Sequence, residues 1–299
     1  VQKMRDSLYG LLCALLLGLG QLCLFTGFDT QSFIVEPVLH SVHDRNRDDI
    51  DAHAGYNGEA LCMLVYTAAN LAAPWVLGRL GSKMTLVIGS SLFTLYLVTF
   101  FYVHYIPYYL GSALMGIGFS LYYTGSSGYL TEHSTRETIS RNSALINSTN
   151  ETLALSEHSY REYSDSEIKF LFGAFVIVSL CSNIIFALIP KRSVANSLAE
   201  KKKASTVVFS EELGKFFTAL KDKRLLQMAP AYCLIGSSTC FWIAVYPTTF
   251  SFTMKLSQHV YLTAYYSIAL GLGDMFMGFF ITAVSKRIRN FAQMPSMIL

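Results

Sequence analysis

Charge is what this sequence has least of. Asp, Glu, Lys and Arg make up 14% of its 299 residues, against 52% hydrophobic residues, where a soluble domain carries about a quarter charged. That deficit excludes an ordinary water-facing surface and makes lipid the solvent for much of the chain. The formal net charge is only +3, and the positive residues fall in short clusters between apolar runs. No basic face is left for nucleic acid, and charge reports topology instead. Loop cysteines are absent too. Cys13, Cys23, Cys62, Cys181, Cys233 and Cys240 all sit in apolar stretches, where they act as small buried hydrophobes and build no disulfide framework. There is no Gly-x-x-x-x-Gly-Lys-Ser/Thr loop, no His-Glu-x-x-His, no Cys-x-x-Cys and no Gly-x-Ser-x-Gly. Those absences remove the phosphate cradle, the zinc-protease pair, the redox or zinc pair and the nucleophile elbow. The seven histidines are scattered, and His53 reads as a solvated loop residue. No enzyme, cofactor or metal centre is expected.

Long hydrophobic runs are what the sequence has instead. A spanning helix needs about 20 mostly apolar residues, because the hydrocarbon core is about 30 Å thick and the rise is about 1.5 Å per residue. Seven segments qualify, near Leu8 to Phe28, Ala60 to Leu77, Met84 to Tyr105, Tyr108 to Leu130, Ile168 to Ile189, Leu225 to Phe250 and Tyr261 to Ser285. The first is longer than a signal-peptide core and is followed by more spans, so it reads as a true span. The expected fold is an all-α, polytopic membrane helix bundle with about seven recognisable spans. Barrel strands are excluded, since they alternate over about ten residues.

The connecting segments differ. Glu36 to Ala54, with Asp44, Asp48, Asp49 and Asp51, is expected to be a solvated loop. Pro190 to Arg224 holds nine Lys or Arg residues, which makes it a basic cytoplasmic linker by the positive-inside rule. Within it, Ser210 to Leu220 has the pattern of a short amphipathic helix with Ser210 as N-cap, read either as a plain linker or as a helix on anionic lipid. Tyr102, Tyr105, Tyr108 and Tyr109 around Pro107 suit the headgroup level. Pro230 and Pro247 bracket one apolar run as candidate kinks.

Between the second and third runs stands Gly78-Arg79-Leu80-Gly81-Ser82-Lys83. It resembles the cytoplasmic Gly-x-Leu-Ala-Asp-Arg-x-Gly-Arg-Lys motif of major facilitator proteins, in which a glycine turn lets basic residues meet an acidic helix end. Arg79, Gly81 and Lys83 match, while Gly78 and Ser82 replace an aspartate and an arginine. Ser285-Lys286-Arg287-Ile288-Arg289-Asn290 is a second basic turn, as internal repetition in such folds implies. Further residues resemble the UNC-ninety-three-like family of ion channel regulatory proteins, a divergent branch of that superfamily. These are Phe25-Thr26-x-Phe28-x-Thr30, Gly55-Tyr56 with Ala60, Tyr66, Asn70-Leu71 and Pro74, Tyr129-Leu130-Thr131 ahead of Arg141-Asn142-Ser143, and Gly271-x-Gly273-Asp274. Tyr123, Ser126 and Ser127 depart from the family pattern of Trp, Gln and Gly. The resemblance implies an incomplete major-facilitator-type fold and a partner that is a channel or receptor subunit.

It also implies a fifth span after Arg141-Asn142-Ser143, yet nothing from Thr131 to Glu167 is apolar enough to cross a bilayer. With Lys3 and Arg5 inside, an even number of crossings precedes Thr131, so the next span would export the basic linker. Asn147-Ser148-Thr149 and Asn150-Glu151-Thr152 are glycosylation sequons, useful only outside the cytoplasm. One crossing between Asn142 and Asn147 satisfies every loop. The expected organisation is therefore an N-terminal transmembrane half over residues 1–189 lacking its fifth helix, the basic linker 190–224, and a partial C-terminal half over 225–299, as a spliced or mispredicted product would have. An inverted topology satisfies the linker and the sequons but exports Lys3, Arg5, Arg79 and Lys83. A seven-helix receptor is excluded for want of Asp-Arg-Tyr and Asn-Pro-x-x-Tyr elements.

Ionisable and polar groups at span depth or at span edges are candidates for function. They are Asp29, Glu59, Asn70 and Asp274, with Asp29 and Glu59 read either as interfacial or as intramembrane. Asp274 lies mid-way along the last run, and no basic partner is visible in the spans. Small residues at Gly111, Ser112, Gly116 and Gly118 favour close helix packing. Three functions remain open: an accessory regulator or trafficking partner of a channel or receptor, a secondary solute transporter, and a truncated product without independent function.

Overall fold

The computed structural model describes residues 2–134, 138–139, 142–143, 163–192, 197, 209–242 and 246, and six single positions between 265 and 280. Its regular elements are all helical. In chain order they are α1 Gln2–Arg45, α2 Ala54–Ala69, α3 Ala73–Leu80, α4 Ser82–Val98 followed by a 3-10 turn Thr99–Phe101, α5 Tyr105–Glu132, α6 Asp165–Leu188, α7 Phe209–Leu220 and α8 Lys223–Cys240. The all-α membrane bundle is thus observed.

The count of about seven spans is not reached among the described residues. Leu8–Ser32, Ser82–Phe101 and Asp165–Leu188 are long and apolar enough to cross a membrane, and α2 with α3 makes a fourth if the pair is one broken span. At 28 residues α5 has the length, but its middle is rich in Gly, Ser and Tyr. Gly111, Ser112, Gly116, Gly118, Ser120, Tyr122 and Gly125 are buried against neighbouring helices, so α5 presents much of its surface to protein rather than to acyl chains and does not need a span's apolarity. α8 covers the first part of the run from Leu225, and the run from Tyr261 lies largely outside the described residues.

Hydropathy also misplaced helix ends, because it marks where lipid stops and not where the backbone leaves the helix. α1 continues to Arg45, so the first half of the expected loop from Glu36 is helix, and Glu36 is only 3% exposed. Residues 46–53 form the actual turn. It is held by His40 Nδ1 to the Ala52 carbonyl at 3.0 Å, His43 Nδ1 to the Ile50 carbonyl at 2.7 Å, and Tyr109 donating to Asp51 at 2.8 Å. The second expected span bends by 63° between α2 and α3. Pro74 sits in the first turn of α3, where its missing N–H would have had no helical partner anyway.

The contacts fix each helix's direction. One end of the bundle gathers Tyr9, whose hydroxyl donates to the Arg192 carbonyl at 2.9 Å, and Tyr129, which donates to Pro190 at 2.9 Å. Ser82 joins them, donating to Glu132 at 2.6 Å. The other end holds Ser41 against Tyr163, Arg45 paired with Asp165 at 2.7 Å, and the Tyr105 N–H on the Asp49 carbonyl. α1 and α4 therefore run from the first end to the second, while α2, α5 and α6 all run back. Consecutive helices α5 and α6 are parallel.

Close approach builds the interior. A Cβ on Gly89 would lie 2.8 Å from Tyr122 N, and one on Gly116 would strike the Cys62 carbonyl, so α5 meets α4 and α2 backbone to backbone as small faces allow. Phe100 stacks on Phe172 at 3.9 Å between the α4 end and α6. Below it, Thr94 Oγ1 lies 2.6 Å from Ser179 Oγ and accepts from Asn183 Nδ2 at 2.8 Å. These buried hydroxyls are satisfied across helices, which lipid would not do for them.

Candidate functional site

The Gly81 turn explains the facilitator-like motif. Gly81 has φ +77° and ψ 163°, a positive-φ extended conformation essentially confined to glycine, and it joins α3 directly to α4. The acidic helix end is Glu132, and Ser82, at the substituted arginine position, is what meets it. Arg79 instead lies over the Trp75 ring at 5.2 Å. Neither Arg79 nor Lys83 forms an ion pair among the described residues. Phe209 of α7 packs edge-on against Trp75 at 6.0 Å, so the expected amphipathic helix exists and sits beside this turn, with Phe216, Phe217 and Leu220 exposed.

At the opposite end a buried acid missed by sequence reasoning organises the start of α2. Glu36 accepts from the Tyr56 N–H at 3.2 Å and lies 3.3 Å from His53 Nδ1. A carboxylate at a helix N-terminus satisfies an orphan N–H and complements the dipole. Gly55 leaves the room, since a Cβ there would be 2.8 Å from Glu36 Cα. The signal available in the sequence was the Gly55-Tyr56 pair, whose partner could not be read from spacing. His53, expected to be simply solvated, is exposed but holds this acid.

The candidate polar residues do not form one cluster. Asn70 caps α2 at the helix break and accepts from Ser120 Oγ at 2.8 Å, which ties the bend to α5. Glu59 lies one turn into α2, half-buried near Tyr96, Tyr108 and Cys62. Asp29 is deeper. α1 runs on as helix for 16 residues from Asp29 to Arg45, about 24 Å at 1.5 Å per residue. Asp29 is half-buried beside Tyr123, with no ion pair or hydrogen bond among the described residues. Tyr123 in turn stacks on Phe119 at 6.0 Å and meets Phe25 at 6.2 Å and Tyr66 at 6.4 Å. The deep carboxylate and the aromatic cluster, which includes the family-like Phe25 and Tyr66, thus share one region. Asp274, Asn147, Asn150 and Arg141 lie outside the described residues. No group of three or more His, Cys, Asp or Glu residues suited to a metal ion occurs among the described residues.

The all-helical bundle with its candidate spans, and the glycine turn between α3 and α4, are those of a polytopic helical membrane protein of the major-facilitator type. The profile of the ion channel regulatory protein UNC-93 family matches residues 46–299, and the chain belongs to that family. It is 25% identical to the UNC93-like protein MFSD11 of Xenopus tropicalis, over 97% of this chain and 69% of that protein. It is 26% identical to the UNC93-like protein MFSD11 of Xenopus laevis, over 90% of this chain and 63% of that protein. The chain spans about two thirds of the length of these relatives.

Proposed function

We propose that the chain is an accessory regulator or trafficking partner of a channel or receptor, and that it receives its partner along the open side of α1. The observation that carries this reading is a bare leucine stripe. Leu8, Leu12, Leu15 and Leu19 follow one another at helical spacing and are each about half exposed or more. Internal repetition supplies the argument. α5 packs on α4 as α1 packs on α6, so the helix that α2 lays against α5 has a counterpart position against α1. The parallel run of α5 and α6 supports the reading that the half over 1–189 lacks its fifth helix, the one due at that position. A partner's transmembrane helix fits there. The first end of the bundle, which carries Arg79, Lys83, Lys191 and Arg192, is assigned to the cytoplasm by the positive-inside rule, with 190–224 as the linker into the partial half 225–299.

A secondary transporter is the second reading, favoured by the depth of Asp29. The two are separated by one pair of measurements on the full chain in cells. A photo-crosslinker at Leu15 that captures a channel or receptor subunit, with co-purification lost on Leu15→Arg, supports the accessory role. Crosslinks to lipid alone, together with saturable solute uptake lost on Asp274→Asn, overturn it in favour of transport.

A further inference from the structure

We propose that the region between α1, α2 and α5 is a binding site for a small organic ammonium ion, with the Asp29 carboxylate as counter-ion and the rings of Tyr66, Phe119 and Tyr123 as walls. This goes beyond a regulatory or a transport role, since either is compatible with a bound ligand.

Position supports the assignment. Asp29 follows Phe28, whose ring meets Phe119 half-way along α5 at 5.0 Å, and Gly27, on which a Cβ would lie 3.4 Å from the Phe175 carbonyl near the middle of α6. It is therefore deep in the bundle. An ionised carboxylate at that depth is costly unless it is neutralised or paired, and Asp29 has neither an ion pair nor a hydrogen bond among the described residues. By contrast, Glu36 has both a helix N-terminus and a histidine. Among the described residues, one acid thus has polar partners and the other has none.

The walls decide which cation. Tyr123 is stacked on Phe119 at 6.0 Å with the rings 8° apart, and Tyr66 meets both, at 5.9 Å from Phe119 and 6.4 Å from Tyr123. Phe25, one turn before Asp29 on α1, closes the group at 6.2 Å from Tyr123. Phe25 and Phe119 are buried, but Tyr123 is 43% exposed and Tyr66 half-exposed, so two ring surfaces are accessible, that of Tyr123 beside the carboxylate and that of Tyr66 against Tyr123. Ring faces attract cations and suit quaternary ammonium groups. A hard metal ion would instead need about six to eight oxygen ligands, and one carboxylate with two phenols does not supply them. An anion is repelled by Asp29.

The test uses purified full-length chain in lipid nanodiscs with choline as probe. Its neutral isostere 3,3-dimethyl-1-butanol and potassium chloride at equal ionic strength serve as controls, and binding is read by the thermal midpoint and by calorimetry. Choline is expected to bind saturably and the isostere and potassium not at all. Asp29→Asn is expected to weaken choline binding more than tenfold and Tyr123→Leu several-fold, while Tyr123→Phe retains it. A folded Tyr123→Phe protein guards against loss by unfolding. Absence of saturable choline binding, equal binding of the isostere or potassium, or unchanged binding by Asp29→Asn overturns the site.

Discussion

Glycosylation of Asn147 or Asn150 and the packed position of α6 are expected to exclude one another. Asn142 Nδ2 donates to Ser134 Oγ at 2.9 Å, and His133 beside it stacks on Tyr129 at 4.0 Å, so Ser143 is at the same end of the bundle as Pro190. Tyr163 is at the other end, on Ser41. The height between the ends, taken along α6 from Asp165 to Pro190, is about 37 Å at 1.5 Å per residue. Four residues from Ser143 carry Asn147 at most about 14 Å, and seven carry Asn150 at most about 25 Å, at up to 3.6 Å per residue. Neither sequon reaches the far side while α5 and α6 are docked as observed. The perturbation is Asn147→Gln with Asn150→Gln. It is combined with a Thr94→Cys, Ser179→Cys pair, whose parent hydroxyls are 2.6 Å apart, and with a protease site placed among residues 151–162. After oxidation and proteolysis, the unglycosylated band should stay joined by the disulfide, and any glycosidase-sensitive band should fall into two fragments. The glutamine pair should remove the sensitive band and raise the joined fraction. With the first end of the bundle cytoplasmic, as proposed from the positive-inside rule, a glycosylated band that crosslinks as fully as the unglycosylated one refutes either that orientation or the reach argument.

Three further outcomes are expected in thermal or denaturant unfolding of the purified protein. Gly55→Ala drives a methyl into Glu36 and should lower stability by about 1–3 kcal/mol, as overpacking does; an unchanged midpoint contradicts the close approach of α1 and α2. A Cβ on Gly81 meets nothing within 4 Å, so the loss on Gly81→Ala, about 1–3 kcal/mol, should come from the backbone alone, at φ +77° and ψ 163°, and Gly81→Asn should lose about as much, since this is not the left-handed helical region that Asn tolerates; an Asn variant as stable as the parent contradicts the turn. Thr94→Val and Ser179→Ala should be non-additive by about 0.5 kcal/mol or more in a double-mutant cycle, because they share one hydrogen-bonded group with Asn183; strict additivity shows that the hydroxyls act separately.

The sequence by itself determined the solvent, the helical class and the family. Apolar runs longer than about 18 residues admit little else in lipid, and the order of Phe25, Gly55, Asn70, Pro74 and Tyr129 carried the family likeness. Those residues proved to have structural work: Gly55 makes room for Glu36, Asn70 ties the bend to Ser120, and Tyr129 holds Pro190. Composition could not reveal that α1 outlasts its apolar stretch, because a helix needs only hydrogen bonds to continue into water. Nor could it show that α5 tolerates polar residues by facing protein. The burial of Glu36 at the start of α2, and the place of Asp29 beside Tyr123, itself packed with Tyr66 and Phe119, bring together residues tens of positions apart. Helix directions and backbone-to-backbone packing at small residues decide such neighbours, and one-dimensional spacing does not encode them.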